Sequence, residues 1–269
     1  MQKEISSIIK RYASRILRKD EKIYGLFLKA FRKSNTGACP ICEKSSVFVK
    51  ESDWLRDNYR CFRCRSIPRQ RAIILAIERF FPKWRELAIH ESSPGGVSSD
   101  FIERNCSGYS GSHFYQDVPR GTYKGKFRSE DLSNLTFDDN TFDLIITQDV
   151  FEHVLEPEKA FKEIARVLKP GGAHIFTMPW YLKLLQSRIR ASLNEQGEIV
   201  HLEPPQYHGN PIDNSGSLVT VDWGLDFIDF IYKSSGMTTT TYLHNDPKFG
   251  LEAEFLEVFI SRKPNLFNA

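Results

Sequence analysis

The stretch that decides the fold is Asp131-Leu-Ser-Asn-Leu-Thr-Phe-Asp-Asp-Asn-Thr-Phe-Asp-Leu-Ile-Ile-Thr-Gln-Asp-Val-Phe-Glu-His-Val154. It continues through Pro157-Glu-Lys-Ala-Phe-Lys-Glu-Ile-Ala-Arg-Val-Leu-Lys-Pro-Gly-Gly172 to Ala173-His-Ile-Phe-Thr-Met-Pro179. Phe142–Gln148 is an apolar run that turns polar at Gln148 and Asp149, the pattern of a buried strand. Pro157 can open a helix that runs to Val167. Lys169-Pro-Gly-Gly172 stops that helix and turns the chain into a second strand, Ala173–Thr177.

Outward from this unit the alternation continues. Leu87–Glu91 and Tyr109–Tyr115 read as strands, with a short helix over Asp100–Asn105 between them. A helix is predicted from Pro68, with Ser66 nearby as its cap, Ile73, Ile74, Ile77 and Phe80 as its apolar face, and Pro82 as its stop. Thr238–Tyr242 and Phe255–Ser261 read as closing strands. Residues 67–264 are therefore expected to form an α/β domain with a Rossmann-like, mostly parallel, doubly wound sheet. Met178–Asp222 is rich in Pro, Gly, Asn and His, and reads as an inserted substrate loop or lid over 178–222. Ligands of such sheets sit beyond the carboxyl ends of the strands, where Asp131, Gln148, Asp149 and His153 fall.

The stretch from Asp131 to Pro179 resembles the class I methyltransferases of the type 11 group, more loosely from about residue 85 to 263. The resemblance implies the class I methyltransferase fold and S-adenosylmethionine as cofactor. It implies that Asp131 accepts a hydrogen bond from the adenine amino group, that Leu132 meets the adenine ring, and that Gln148 lines the same crevice. In Ile89-His-Glu-Ser-Ser-Pro-Gly-Gly96, Glu91 matches the family's acidic position and Gly95 one of its loop glycines, but Ser93 stands where the first glycine belongs. The acidic residue that grips the ribose should lie near Ser112, which is not acidic; Asp117 follows five residues later. His153 is expected to be structural. In the insertion, His201, Tyr207 and His208 are the candidates for assisting methyl transfer, with Tyr207 and His208 favoured as catalytic and Trp180 and Tyr181 as an apolar wall.

Upstream, Cys39-Pro-Ile-Cys42 and Cys61-Phe-Arg-Cys64 enclose a segment of the spacing used by four-cysteine zinc sites. Two such turns make a closed tetrahedral thiolate shell, so residues 37–66 are expected to form a small zinc ribbon or knuckle with a structural metal. Cys106 reads as an ordinary buried cysteine. Arg60, Arg63, Arg65, Arg69 and Arg71 around the second pair could grip phosphates, but are expected to be solvated charges. Residues 1–36 read as a basic amphipathic helical extension, with Ile5, Ile8, Ile9, Tyr12, Ile16 and Leu17 on one face. That face would pack on the protein or on a second subunit, with peripheral membrane contact or RNA as the alternatives.

The chain has 269 residues, 41% hydrophobic and 26% charged, with a net charge of +3. That suffices for one large core and gives little reason to expect nucleic acid. No apolar run is long enough to cross a bilayer and no secretory signal is evident, so the cytoplasm is expected. The expected methyl acceptor is a small molecule or a glycan or nucleotide-sugar precursor. Ribosomal-RNA methyltransferases with an N-terminal zinc site are an alternative resemblance, although their last ligand is usually histidine where this chain has Cys64. A non-catalytic binding protein on the same fold is a further alternative, favoured by the altered glycine loop.

Overall fold

The computed structural model describes residues 34–210 and 216–265, so the expected helical extension lies almost wholly outside the described residues. Residues 34–36, assigned to that extension, instead open a strand. β1 (Ser34–Cys39), β2 (Lys44–Lys50) and β3 (Tyr59–Cys61) form an antiparallel sheet in that order, with the single-turn helix α1 (Leu55–Asn58) before β3. Helix α2 (Pro68–Phe80) follows. Ile67, not Ser66, occupies its N-cap position, and the Ile67 N–H donates to Gln70 Oε1 at 3.2 Å. The Ser66 hydroxyl is drawn into the cysteine cluster instead, 3.2 Å from Cys64 Sγ.

The main sheet contains β4 (Ile89–Ser92), β5 (Tyr109–His113), β6 (Tyr123–Lys124), β7 (Phe127–Ser129), β8 (Phe142–Gln148), β9 (Leu168–Thr177), β16 (Thr238–Tyr242) and β17 (Val258–Arg262). Their order is β16-β17-β9-β8-β4-β5-β7-β6. The five strands from β9 to β7 run parallel, while β17 is antiparallel to both of its neighbours and β6 to β7. This is a mostly parallel, Rossmann-like sheet, as expected. β9 begins earlier than expected, at Leu168, directly after helix α4 (Pro157–Val167). The Lys169-Pro-Gly-Gly172 turn lies inside the strand, with Gly171 at φ +78.

Side chains alternate across β8. Leu144 and Ile146 join the apolar face of α2, helix α3 (Val97–Asn105), Val258 and Ile260. Ile145 joins α4, helix α5 (Phe227–Ser235) and Phe259 on the opposite side. Cys39, Ile41, Phe48, Tyr59 and Cys61 belong to the first of these cores, so the cysteine module shares its interior with the main sheet. The docking is close: a Cβ on Gly37 would lie 1.8 Å from the Lys248 carbonyl oxygen.

The 178–222 insertion is not a bare loop. It forms three short antiparallel pairs: β10 (Arg188–Ile189) with β15 (Val221–Asp222), β11 (Ala191–Leu193) with β12 (Ile199–His201), and β13 (Tyr207–His208) with β14 (Ser217–Leu218). Among the described residues, no helix is long and apolar enough to cross a membrane.

Candidate active site

Strand order reverses between β4 and β8, since the chain moves from β4 to β5 and β7 on one side and to β8 and β9 on the other. A crevice beyond the carboxyl ends of β4 and β8 is the standard ligand position in such sheets. At β4, Ser93 has φ +57, so the serine in the first glycine position keeps the left-handed backbone that a glycine would supply. Its N–H donates to the Ser112 carbonyl at 2.7 Å. Gly96 begins α3 at φ 76, ψ −171, a region open essentially to glycine alone, and a Cβ there would meet Gln70 Nε2 at 2.5 Å. Gly95 lies between them and donates its N–H to Ser99 Oγ at 2.9 Å.

Two expected cofactor contacts are closed off. Glu91 is fully buried: Ser99 Oγ and Gln148 Nε2 donate to its Oε1 at 2.9 and 2.8 Å, and Tyr109 donates to its Oε2 at 2.8 Å. Burial pushes its carboxyl up, and it supports the loop from beneath. Gln148 is held in the same network, accepting from Ser98 Oγ at 3.1 Å. Ser112 is buried with its hydroxyl 3.0 Å from His90 Nε2. Asp117 does not replace it, being exposed and paired with Lys124 at 3.0 Å. Beyond β7, Asp131 is half-buried and its Oδ1 accepts the Ser133 N–H at 2.8 Å, which fixes the turn that carries buried Leu132.

At the end of β8, Asp149 has φ +53 and takes part in a constellation that sequence reading missed. Arg56, from α1 in the cysteine module, is almost wholly buried. It donates to Asp149 Oδ1 at 2.6 Å and to the Phe255 carbonyl. Arg69, from α2, reaches Asp149 Oδ2 at 3.2 Å. Burial alone would raise the Asp149 carboxyl, but the two guanidiniums hold it at about 2. Arg71 is fully buried under the cysteines, where it donates to the carbonyls of Ser66, Tyr59 and Gly250. Arg69 and Arg71 are thus not the solvated charges expected. Arg60 and Arg65 both pair with Glu51.

Next along the chain, Glu152 is buried at 3% exposure, and among the described residues its Oε2 has no partner. Burial, then the charge of Asp149, push its carboxyl up to about 8. His153 donates from Nδ1 to the Leu218 carbonyl at 2.8 Å, and its Nε2 lies 3.8 Å from Glu152 Oε1. Burial lowers its pKa to about 4, leaving the ring neutral. The His208 ring stands at 89° to the His153 ring, centroids 5.2 Å apart, and burial lowers its pKa too. Of the candidates in the insertion, the structure therefore brings His208 to the rim. Tyr207, its neighbour in β13, is 57% exposed, and His201 is exposed on β12. Trp180 donates its indole N–H to the Gly224 carbonyl at 2.7 Å and packs on Phe259, and Tyr181 packs on Phe255. The insertion is clamped to the β8 exit, since Thr220 N–H donates to the Glu152 carbonyl at 2.7 Å and the Trp223 indole to the Phe151 carbonyl at 3.1 Å.

The four sulfurs of Cys39, Cys42, Cys61 and Cys64 lie within 4.8 Å of one another, with Cys39–Cys64 at 3.6 Å and Cys42–Cys61 at 4.0 Å. A tetrahedral zinc with bonds of about 2.3 Å places its sulfurs roughly 3.8 Å apart, so the spacing fits. It is too long for a disulfide. Burial and neighbouring thiolates push Cys42 up to about 11. Cys106 is buried and apart from the cluster.

Residues 112–176 match a family model described as a methyltransferase domain. Phosphoethanolamine N-methyltransferase 2 of Caenorhabditis elegans is 38% identical over 53 residues, 20% of this chain and 12% of that protein. Sarcosine/dimethylglycine N-methyltransferase of Halorhodospira halochloris is 44% identical over 48 residues, 18% and 17% of the two chains. The matched segments thus span less than a fifth of either relative. A structure of an S-adenosylmethionine-dependent methyltransferase from Mesorhizobium loti aligns over 71% of this chain and 97% of that one, with a TM-score of 0.47 and 16% identity. The family match and these short alignments support a methyltransferase domain around residues 112–176.

Proposed function

We propose that this chain is an S-adenosylmethionine-dependent methyltransferase acting on a small molecule or a glycan or nucleotide-sugar precursor, with one structural zinc in its N-terminal module. The observation that carries the reading is the strand-order reversal between β4 and β8, with the Ser93–Gly96 turn after β4 and the turn of Asp131 and Leu132 after β7. Asp131 and Leu132 would read the adenine edge and face, and the backbone from Ser93 to Gly95 would approach the methionine part. With Ser112 engaged by His90 and Asp117 at the surface, ribose recognition would fall to backbone groups of this turn.

The reaction needs little from the protein beyond alignment and proton removal. A lone pair of the acceptor forms a bond to the methyl carbon. The sulfur–methyl bond breaks with its pair staying on sulfur, and the acceptor proton leaves. Glu152, His153 and His208 stand together beyond β8 and are the groups placed to manage that proton. A small acceptor is favoured over RNA because, among the described residues, most arginines of the cysteine module are engaged: Arg56 and Arg69 with Asp149, Arg71 with buried carbonyls, and Arg60 and Arg65 with Glu51, while Arg63 is exposed and donates to the Ser45 carbonyl. One observation favours a second reading, a non-catalytic protein on this fold: the closed Glu91 and Ser112 leave fewer side chains to hold a cofactor.

Calorimetry with S-adenosylmethionine and S-adenosylhomocysteine separates the two. Binding is expected, and Asp131→Ala should weaken it by roughly tenfold or more, the worth of a charge-assisted hydrogen bond. Binding that is unchanged in Asp131→Ala would refute the cofactor placement, and no binding to the parent protein would favour the non-catalytic reading.

A further inference from the structure

Glu152, His153 and His208 pose a problem of electrostatics. The Leu218 carbonyl can only accept, so His153 Nδ1 must carry the proton and Nε2 the lone pair. That lone pair faces Glu152 Oε1 at 3.8 Å, too far for a hydrogen bond, and Glu152 Oε2, also buried, has no partner among the described residues. The His208 ring closes the third side. Facing lone pairs in a buried pocket are reconciled either by a proton on Glu152 or by a metal ion that takes that proton's place.

The geometry points to a divalent first-row transition-metal site formed by Glu152, His153 and His208, separate from the four cysteines. One donor atom from each residue lies within 4.8 Å of the other two. Two imidazoles and a carboxylate are a three-ligand set that leaves coordination positions open to water or substrate, unlike the closed four-thiolate shell. Its supports are in place. The Nδ1–H bond to Leu218 fixes the His153 tautomer and ring, which is the usual role of a partner behind a metal-ligating histidine. Thr220 holds the Glu152 carbonyl, Trp223 holds that of Phe151, and β14 supplies Leu218 while pairing with the strand that carries His208. Arg56 and Arg69, whose charges act on Glu152, are both directed at Asp149.

The function of this site rests on the methyltransferase reading, though its existence does not. The ion would hold a hydroxyl of the acceptor and lower its pKa. The O–H bond breaks and the proton passes to water. The oxygen lone pair forms the O–CH3 bond, and the S–CH3 bond breaks with its electrons on sulfur, giving neutral S-adenosylhomocysteine. The acceptor class is then an alcohol, phenol or sugar hydroxyl.

The test is a titration of Co2+ into protein whose cysteines already carry zinc, read by visible absorption, calorimetry and elemental analysis. A second equivalent should bind with the absorption of nitrogen and oxygen ligation, without thiolate-to-cobalt charge transfer. Glu152→Gln, which keeps the side-chain shape, and His208→Ala, a change in the insertion, should each weaken uptake by at least about tenfold and leave the zinc in place. Uptake only with thiolate absorption, no second equivalent, or variants that bind cobalt like the parent would overturn the site. Calorimetry with S-adenosylmethionine on the same samples keeps the two readings apart. Cofactor binding without cobalt uptake removes the metal alone, and cobalt uptake without cofactor binding removes the methyltransferase alone.

Discussion

Replacing Arg56 with alanine tests how the cysteine module is joined to the active-site rim. The guanidinium lies 2.6 Å from Asp149 Oδ1, with side-chain exposures of 4% and 20% for the two partners. Removing one member of a buried ion pair typically costs about 3–5 kcal/mol, because the other charge is left uncompensated. Here Arg69 remains 3.2 Å from Asp149 Oδ2, so the low end applies, about 3 kcal/mol. For a chain of this size that is a fall in Tm of roughly 6–10 °C. The pH dependence follows from Asp149, whose carboxyl is held at about 2 in the folded state against an ordinary value of 3.8. A depressed folded-state pKa contributes stability that is fully present above the unfolded value and is lost as pH falls through the folded value. The gap between parent and Arg56→Ala should therefore be constant from pH 7 to about 4 and narrow below that. Urea unfolding followed by tryptophan fluorescence at a series of pH values measures it. Since the module shares one core with the main sheet, zinc release should track the same transition. Adding Asp149→Asn should return part of the loss by removing the stranded charge. A destabilisation below about 1 kcal/mol, or a gap that does not change down to pH 3, would refute the assignment of this pair as the joint.

Cys61→Ser should abolish retention of about one zinc per chain and lower the Tm of the whole protein, read by elemental analysis and calorimetry. Gly96→Ala should cost about 1–3 kcal/mol from the backbone conformation, and should weaken S-adenosylmethionine binding because Gln70 and the loop must shift. His208→Ala should leave cofactor affinity nearly unchanged while turnover falls by about 10²–10⁴. Joint loss of Tm and cofactor binding in that variant would instead make the histidine a scaffold residue.

Much of the sheet could be read from the chain because local signals and burial agree there. Phe142–Gln148 is centred on apolar Leu144–Ile146 and becomes a central strand whose middle is buried on both faces. Pro157–Val167 places Ala160, Phe161, Ile164 and Val167 on one side and becomes the helix over Phe176. β7 escaped notice because Phe127–Ser129 is three residues long and is held by pairing with β5, a long-range contact without a periodic signature. The 178–222 insertion looked like a loop because its paired segments are two or three residues each. The cysteine spacing located the cluster, but not that Cys39 and Cys61 belong to the main core.

The rim was less legible, and Asp149 shows why. Its placement after a strand follows from the sequence, but the residues that set its charge lie 93 positions earlier for Arg56 and still closer to the cysteines than to β8 for Arg69. A cluster of arginines beside a zinc pattern reads as solvated charge, which holds for exposed Arg63 and Arg65. Only the docking of the module turns Arg69 and Arg71 inward. Helix α2 also reaches the altered glycine loop. Gln70, one residue beyond Arg69 on α2, stands where a Cβ on Gly96 would be and accepts the Ile67 N–H. One helix thus carries contacts to the cysteine module, to the Ser93–Gly96 turn and, through Arg69, to Asp149. A change that loosens the cysteines is expected to reach both the cofactor turn and the Glu152–His153–His208 cluster through α2, without altering any residue of the crevice.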